Sequence, residues 1–319
     1  MDVDLADYAA IVALAETLHF GRAAERLHVS QPALSKRVRK LEDRIGGPLL
    51  MRRYRDVRLT EAGRLLAERG RLLLRDSAAT VAFSQRAARG EAGRLRIGFG
   101  IASIIALLPE VLLRFRASHP DVELELRDMS TPDQVEGLAS RQIDIGFVRL
   151  PVTAERLVVR PVLDERLVLA IGRRSPWTPR TGLRSVATEP FIIITRSRSA
   201  SFYDHALSVC AAAGFAPRIV QEANELFTVL SLVGAGLGVS LVPRSAALMR
   251  LPGIRFRELT LPEAAWNIGV AWHRDAGGDP LVQRFAGMVR AARPAAAKRR
   301  LSPRRGASHR RQDATKADT

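Results

Sequence analysis

The stretch AERLHVSQPALSKRVRKLE, residues 24–42, gathers Arg26, His28, Lys36, Arg37, Arg39 and Lys40 around one proline, Pro32. Just upstream, FGRAAERL places Phe20, Ala23, Ala24 and Leu27 on one helical face, because residues three and four apart share a side of a helix. HVS interrupts that period. Ser30 is a good N-cap, and Pro32 falls in the first turn, where a missing N–H costs least. Leu34, Val38, Leu41 and Ile45 then recur at steps of four, three and four, which predicts a second buried stripe. Two amphipathic helices joined by about three residues form a helix-turn-helix.

The other side of the second helix carries the charge. At about 100° per residue, Pro32, Ser35, Lys36, Arg39 and Lys40 point away from the Leu34 stripe, with Gln31 and Arg37 on its flanks. A helix can enter the DNA major groove with its N-terminal residues at the base edges. Gln31 offers an amide to a base edge, Ser35 is short enough for base or phosphate, and Lys36 and Arg39 suit guanine or phosphate. A solvated basic face on an ordinary bundle helix would show the same pattern; the tight turn, the placed proline and the sequel favour DNA.

That sequel is GGPLLMRRYRDVRLTEAG, residues 46–63. Short apolar pieces at 49–51 and 57–59 flank RRYRD, which predicts a β-hairpin wing. Its Arg52, Arg53 and Arg55 would grip the backbone or the minor groove. Thr60 is placed to cap a long helix over 61–89. In it Leu65, Leu72 and Ala79, and likewise Leu66 and Leu73, repeat at seven. Such a seam pairs with a second copy of itself or packs on its own domain; a dimer would present two recognition helices to two half-sites.

Length and composition fit this reading. The chain has 319 residues, enough for two or three domains, and 47% of them are hydrophobic, as in a globular protein. The formal net charge of +17 calls for a polyanionic partner, nucleic acid ahead of a membrane surface or an acidic ligand. The end, KRRLSPRRGASHRRQDATKADT, has eight Lys or Arg against two Asp. Residues 293–319 therefore read as a disordered basic tail, either solubilising or a non-specific grip on nucleic acid.

No apolar run reaches the roughly 18 residues of a membrane span, and the acidic start is no secretory signal. The lone Cys210 suits the cytoplasm and a core position. The six His are scattered without metal-ligand spacing. HExxH, GxSxG and phosphate-loop motifs are absent from the sequence. The expectation is no enzyme, no metal and no cofactor.

FGRAAERLHVSQPALSKRVRKLEDRIGGPLL followed by RLTEAG resembles the N-terminal signature of LysR-type transcriptional regulators, densely over residues 5–66 and more loosely to about 292. Leu50 stands where many members carry Phe, Gly47-Pro48 replaces the commoner Val-x, and Lys36 stands where many have Arg. The resemblance implies that Gln31, Pro32, Ser35 and Lys36 lie in the groove, with Arg52 and Arg55 on the wing. It also implies a homodimer or homotetramer on double-stranded promoter DNA, with RNA polymerase as a further partner.

From Leu95 the pattern changes. LRIGFG, VELELRD, IDIGFV, RLVLAIG, FIIIT, GVSLVP and NIGVAWH are strand-like, with helical stretches such as LLPEVLLRFRASH and LVQRFAGMVRAA between them. Alternation argues for two doubly wound α/β lobes, with ligands at strand C-termini in the cleft. Ser103, Thr131 and Arg149 follow three such strands, and FIIITRSRSASF brings Thr195, Arg196, Ser197, Ser199 and Phe202 from the second lobe. Hydroxyls at helix N-termini and an arginine would hold a carboxylate. Ser103 and Thr131 would equally serve as plain N-caps, and Arg149 would equally pair with an acid such as Glu225.

ELRDMSTPDQVEGLASRQIDIGFVRLPV, residues 125–152, resembles the LysR-type subset that governs aromatic-compound catabolism. That likeness implies Thr131 and Arg149 at the effector carboxylate, Phe202 beside it, and Ala102 where the subset often has Ser. The fold expected is an all-α winged helix-turn-helix plus linker helix, then an α/β two-lobed, periplasmic-binding-protein-like effector domain. Its limits are residues 1–60, 61–89 and 90–292, the last split into lobe I (about 95–163 and 267–292) and lobe II (about 164–266). The function expected is a cytoplasmic DNA-binding regulator, an activator responding to an aromatic or muconate-type carboxylate. An architectural DNA binder with a vestigial pocket and a solute-binding protein are the alternatives.

Overall fold

The computed structural model describes residues 3–53, 56–175, 177–178 and 182–292. The chain divides into two compact units between Ala92 and Gly93. The predicted basic tail and Arg55 lie outside the described residues.

The first unit opens with α1, Leu5–Thr17, which begins at a reciprocal cap: Asp4 accepts from the Asp7 N–H and Asp7 from the Asp4 N–H. Helix α2, Phe20–Arg26, is capped by His19, whose Nδ1 accepts from Arg22 N. Helix α3, Gln31–Ile45, starts at Ser30, whose hydroxyl accepts from Ala33 N, with Pro32 in its first turn. Gly46 ends it at φ 82°, a left-handed conformation that glycine adopts without a Cβ clash. Leu34, Val38 and Leu41 are buried with Ile11, Leu14, Ala23 and Ala24. Ile45 is 41% exposed, so the stripe closes one turn earlier than its period predicts.

The wing forms from β1, Leu50–Arg53, antiparallel to β2, Asp56–Leu59. Glu42 of α3 ties it down, accepting from Leu49 N and Leu50 N. Thr60 caps α4, Glu61–Ala88, through a bond from Gly63 N. A Cβ on Gly63 would sit 2.1 Å from Leu49 O, so only glycine lets α4 approach the wing so closely. Gly63, Ala67 and Gly70 are the buried positions of α4, with Gly70 against Tyr8 and Val12 of α1. Leu65, Leu72 and Leu73 lie on its exposed side, while Leu66 packs into the unit's own core.

In the second unit, β3 (Ala92–Phe99) lies between β4 (Asp121–Asp128) and β5 (Ile145–Arg149), running parallel to β5. The long strand β6, Leu157–Gly172, serves both lobes. As far as Arg166 it pairs with β11, Ala265–His273, which also pairs antiparallel with β5. From Leu167 it pairs with β9 (Ser240–Pro243) and β10 (Ile254–Glu258). The remaining pair, β7 (Pro190–Ile194) and β8 (Arg218–Ala223), is parallel and belongs to the second lobe. The sheet is thus mixed, not wholly parallel.

Helices α5 (Ile101–Ala106), α6 (Leu108–Ser118), α7 (Thr131–Ala139) and α10 (Pro280–Ala291) go with the first lobe's strands. Helices α8 (Ala200–Ala212) and α9 (Leu226–Gly234) go with the second. Leu108, Val111 and Phe115 of α6 meet Phe285 and Val289 of α10 in the core, with the Phe115 and Phe285 rings edge to face. Each such side chain contributes about 1.5–3 kcal/mol of burial. Cys210 is buried on α8, and burial pushes its thiol up to about 12, leaving no nucleophilic thiolate at neutral pH.

Candidate functional site

Two sites emerge, one in each unit. On α3, Gln31, Pro32, Lys36, Arg39 and Lys40 are exposed and Ser35 is half-buried. The cations of this helix fall into two groups. Arg37 Nη1 donates to Asp4 and Asp7 at 2.9 Å each, and Arg44 Nη1 donates to Asp7 at 2.8 Å. Arg37 and Arg44 are seven apart, so they share a face, and α1 supplies the acids that neutralise it. Lys36, Arg39 and Lys40 meet no carboxylate among the described residues, and their charge is free for phosphates. Asp7 was not singled out from the sequence, although Asp4 and Asp7 at N-cap spacing were readable as a cap. Arg52 and Arg53 fall on β1, but their side chains lie outside the described part, as does Arg55.

The second site lies between the lobes of the second unit. Gly100 caps α5 after β3, Ser130 caps α7 after β4, and Arg149 ends β5. The lobe II side is the start of α8. Thr131 follows the cap and uses its hydroxyl to accept from Arg149 N at 3.0 Å, which joins the two strand ends. Arg149 Nη1 donates to Ser201 O across the cleft at 3.1 Å, and its guanidinium stacks 4.5 Å from the Trp266 ring. Trp266 in turn meets Phe202 edge to face. No carboxylate among the described residues reaches Arg149; Glu225 lines a neighbouring cavity instead. Burial pushes the Arg149 guanidinium down to about 10, so it remains a cation at neutral pH.

Around this arginine is a cavity of about 80 Å³, lined by Ala102, Thr131, Gln134, Phe147, Arg149, Phe202 and Trp266 among others. A second cavity of about 90 Å³ shares Gly100, Met129, Ser130, Ser199 and Phe202 with it. At that second cavity an ion pair from Arg198 to Asp128 links the lobes.

The structure brings Ala102, Thr131, Arg149 and Phe202 together. It does not bring Ser103: that hydroxyl is fully buried and turned back onto Gly100 O at 2.7 Å. Ser103 falls inside the first turn of α5, where its hydroxyl bonds back to the helix start. Ser199 reaches the cleft, whereas Arg196 is held outward by Asp204 and Thr195 bonds Ser197. Gln134, Phe147 and Trp266 escaped the sequence reading, although Gln134 lies three residues after Thr131 on α7 and Phe147 two before Arg149 on β5; only Trp266 needs the pairing of β11 with β5 to reach Arg149. Among the described residues no group of His, Cys, Asp and Glu is arranged to hold a metal.

Comparison with known proteins joins the two sites. A profile described as "Bacterial regulatory helix-turn-helix protein, lysR family" matches residues 5–64, and "LysR substrate binding domain" matches residues 88–294. The chain belongs to the LysR family. The HTH-type transcriptional regulator AlsR of Bacillus subtilis is 34% identical over 86% of this chain and 91% of its own length. CatR of Pseudomonas putida, also an HTH-type transcriptional regulator, is 36% identical over 86% and 94%. The crystal structure of full-length CbnR complexed with target DNA matches with a TM-score of 0.76 at 28% identity, covering 92% of this chain and all of that one. The family member described here is accordingly a DNA-binding transcriptional regulator and not an enzyme. Among the described residues no helix is long and apolar enough to cross a membrane.

Proposed function

We propose that this regulator senses a small organic carboxylate in the cleft between its lobes and reads promoter DNA through α3. The observation that carries the ligand reading is Arg149, a half-buried cation with no carboxylate partner among the described residues, stacked on Trp266 and bonded across the cleft. A ligand carboxylate would supply the missing counter-charge in a charge-assisted, two-pronged geometry suited to a guanidinium. Thr131 holds the arginine's backbone in place and Phe202 faces the bound molecule. The small cavity shares Thr131, Arg149 and Trp266 with an open space of about 620 Å³. Phe147, Phe202 and Trp266 give it aromatic walls, which together with the resemblance over residues 125–152 favours an aromatic or muconate-type acid.

On the DNA side, Gln31, Pro32 and Ser35 would face bases, with Lys36, Arg39 and the wing's Arg52, Arg53 and Arg55 on phosphates. The exposed Leu65, Leu72 and Leu73 of α4 support pairing with a second copy, and two such pairs would make the tetramer. The ligand would change DNA binding by its unequal affinity for two lobe arrangements, separated by making or breaking the Arg149–Ser201 and Arg198–Asp128 links.

The test is thermal unfolding of the full-length protein against aromatic acids, muconates and short aliphatic acids. An acid at 100 times its Kd adds about 2.7 kcal/mol of stability. A stabilising acid that also shifts promoter affinity is expected. Promoter binding with a flat response to every acid would instead mark an architectural DNA binder.

A further inference from the structure

The cleft offers a second polar group besides Arg149, and it is an acceptor without a donor. Gln134 of α7 is 1% exposed. Its Nε2 donates to Met129 O at 2.9 Å, while its Oε1 has no hydrogen-bond partner among the described residues. The side chain lines the same cavity as Thr131 and Arg149. Its oxygen lies over Gly98 and Gly146, which face each other across β3 and β5. A Cβ on Gly146 would come within 3.1 Å of that oxygen, and one on Gly98 within 3.4 Å. Two paired glycines thus leave room for a buried carbonyl that nothing on the wall satisfies. Of the nearby hydroxyls, Ser103 donates to Gly100 O, Ser130 donates to Asp133 and Thr131 accepts from Arg149 N; none is bonded to Gln134 Oε1.

We propose that Gln134 selects, among small carboxylates, those that also carry a hydroxyl or N–H donor, which its Oε1 accepts while Arg149 holds the carboxylate. This rests on the carboxylate reading above and narrows it to hydroxy or amino acids in the broad chemical sense. A plain acid leaves the carbonyl unsatisfied, as it already is, whereas a matched donor removes that penalty. An unpaired buried acceptor corresponds to roughly 5- to 150-fold in affinity. Sites that hydrogen-bond a ligand hydroxyl discriminate against analogues lacking it for the same reason.

The experiment is titration calorimetry on the full-length protein with matched acids: benzoate against 2-, 3- and 4-hydroxybenzoate, and propionate against lactate and 3-hydroxypropionate. In at least one series a hydroxy acid binds roughly 5- to 150-fold tighter than its parent, and Gln134→Met brings that ratio to about one. Parents binding as tightly as every hydroxy derivative would overturn the role of Gln134 alone. So would a preference that survives intact in folded Gln134→Met. Absence of binding by every acid would overturn the carboxylate reading and this one with it. Should Gln134→Met fail to fold, Gln134→Leu makes the same comparison, and a preference that survives in it overturns the role of Gln134.

Discussion

Arg37 and Arg44 in the helix-turn-helix close their charge on Asp7, whereas Arg149 in the cleft closes its charge on a carbonyl and an aromatic ring. Asp7 is almost fully buried and each of its arginines is partly in water. The network holds α1 against α3 and leaves Lys36, Arg39 and Lys40 as the helix's available cations. Arg149 is the reverse: a half-buried cation that meets no carboxylate among the described residues. The first arrangement fixes a shape; the second leaves a cation with which the proposed carboxylate would pair.

The largest effect should come from breaking the closed network. Asp7→Ala takes the carboxylate from Arg44 and leaves Arg37 with Asp4 alone. Losing one partner of a buried pair costs 3–5 kcal/mol, and partial solvation of the arginines lowers that to about 2–4 kcal/mol. Chemical denaturation should show a lower midpoint at unchanged slope, with weaker promoter binding. Stability within experimental error of wild type would break the contrast from its first side.

Arg149→Met probes the other side. Here a half-buried cation is replaced by an apolar chain of similar length, so stability should stay within about 1 kcal/mol of wild type. The loss appears in carboxylate binding, about 30-fold or more, the scale of truncating one partner of a buried charge pair.

The smaller effects sharpen the division among the α3 cations. Lys36→Ala or Lys40→Ala should each reduce the salt slope of promoter binding by about 1. Arg44→Ala should leave the slope unchanged, its charge being committed to Asp7. A slope that falls equally in all three would show the network open to phosphates. Smallest is Asp4→Asn. The Asp7 N–H, with Arg37, holds the Asp4 carboxyl below its ordinary value of 3.8. A depressed carboxylate stabilises the fold above that ordinary value, and the contribution is lost as pH falls through the lower folded one. The Asn variant should therefore lack a slight part of the wild type's acid limb in a pH titration of unfolding.

Much of the first unit is local and so was legible in the chain. Ser30, Pro32, the Leu34 stripe and Thr60 act within a few residues of themselves. Helix α1 drew less notice because apolar residues occupy most of its length, so their period marks no single face, and its acids matter only once α3 is beside it. In the second unit, the first half of β6 escaped because Pro161, Asp164 and Glu165 interrupt an apolar run, although pairing with β11 carries the strand through them. Ser103 was misplaced by its register in α5, one position from the cavity-lining Ala102. Thr131 and Arg149 were readable from strand ends. Trp266 was not, since only the pairing of β11 with β5 brings it to Arg149, and Gln134 reads as an ordinary polar position one turn into α7.

The most direct measurement is a calorimetric titration of wild type and Arg149→Met, side by side, with the acid that most stabilises the wild type. Saturable binding in the wild type, lost or weakened at least 30-fold in a variant that keeps its fold and its promoter affinity, is the expected result. Equal affinity in both proteins would place the carboxylate elsewhere and remove Arg149 from the centre of the cleft.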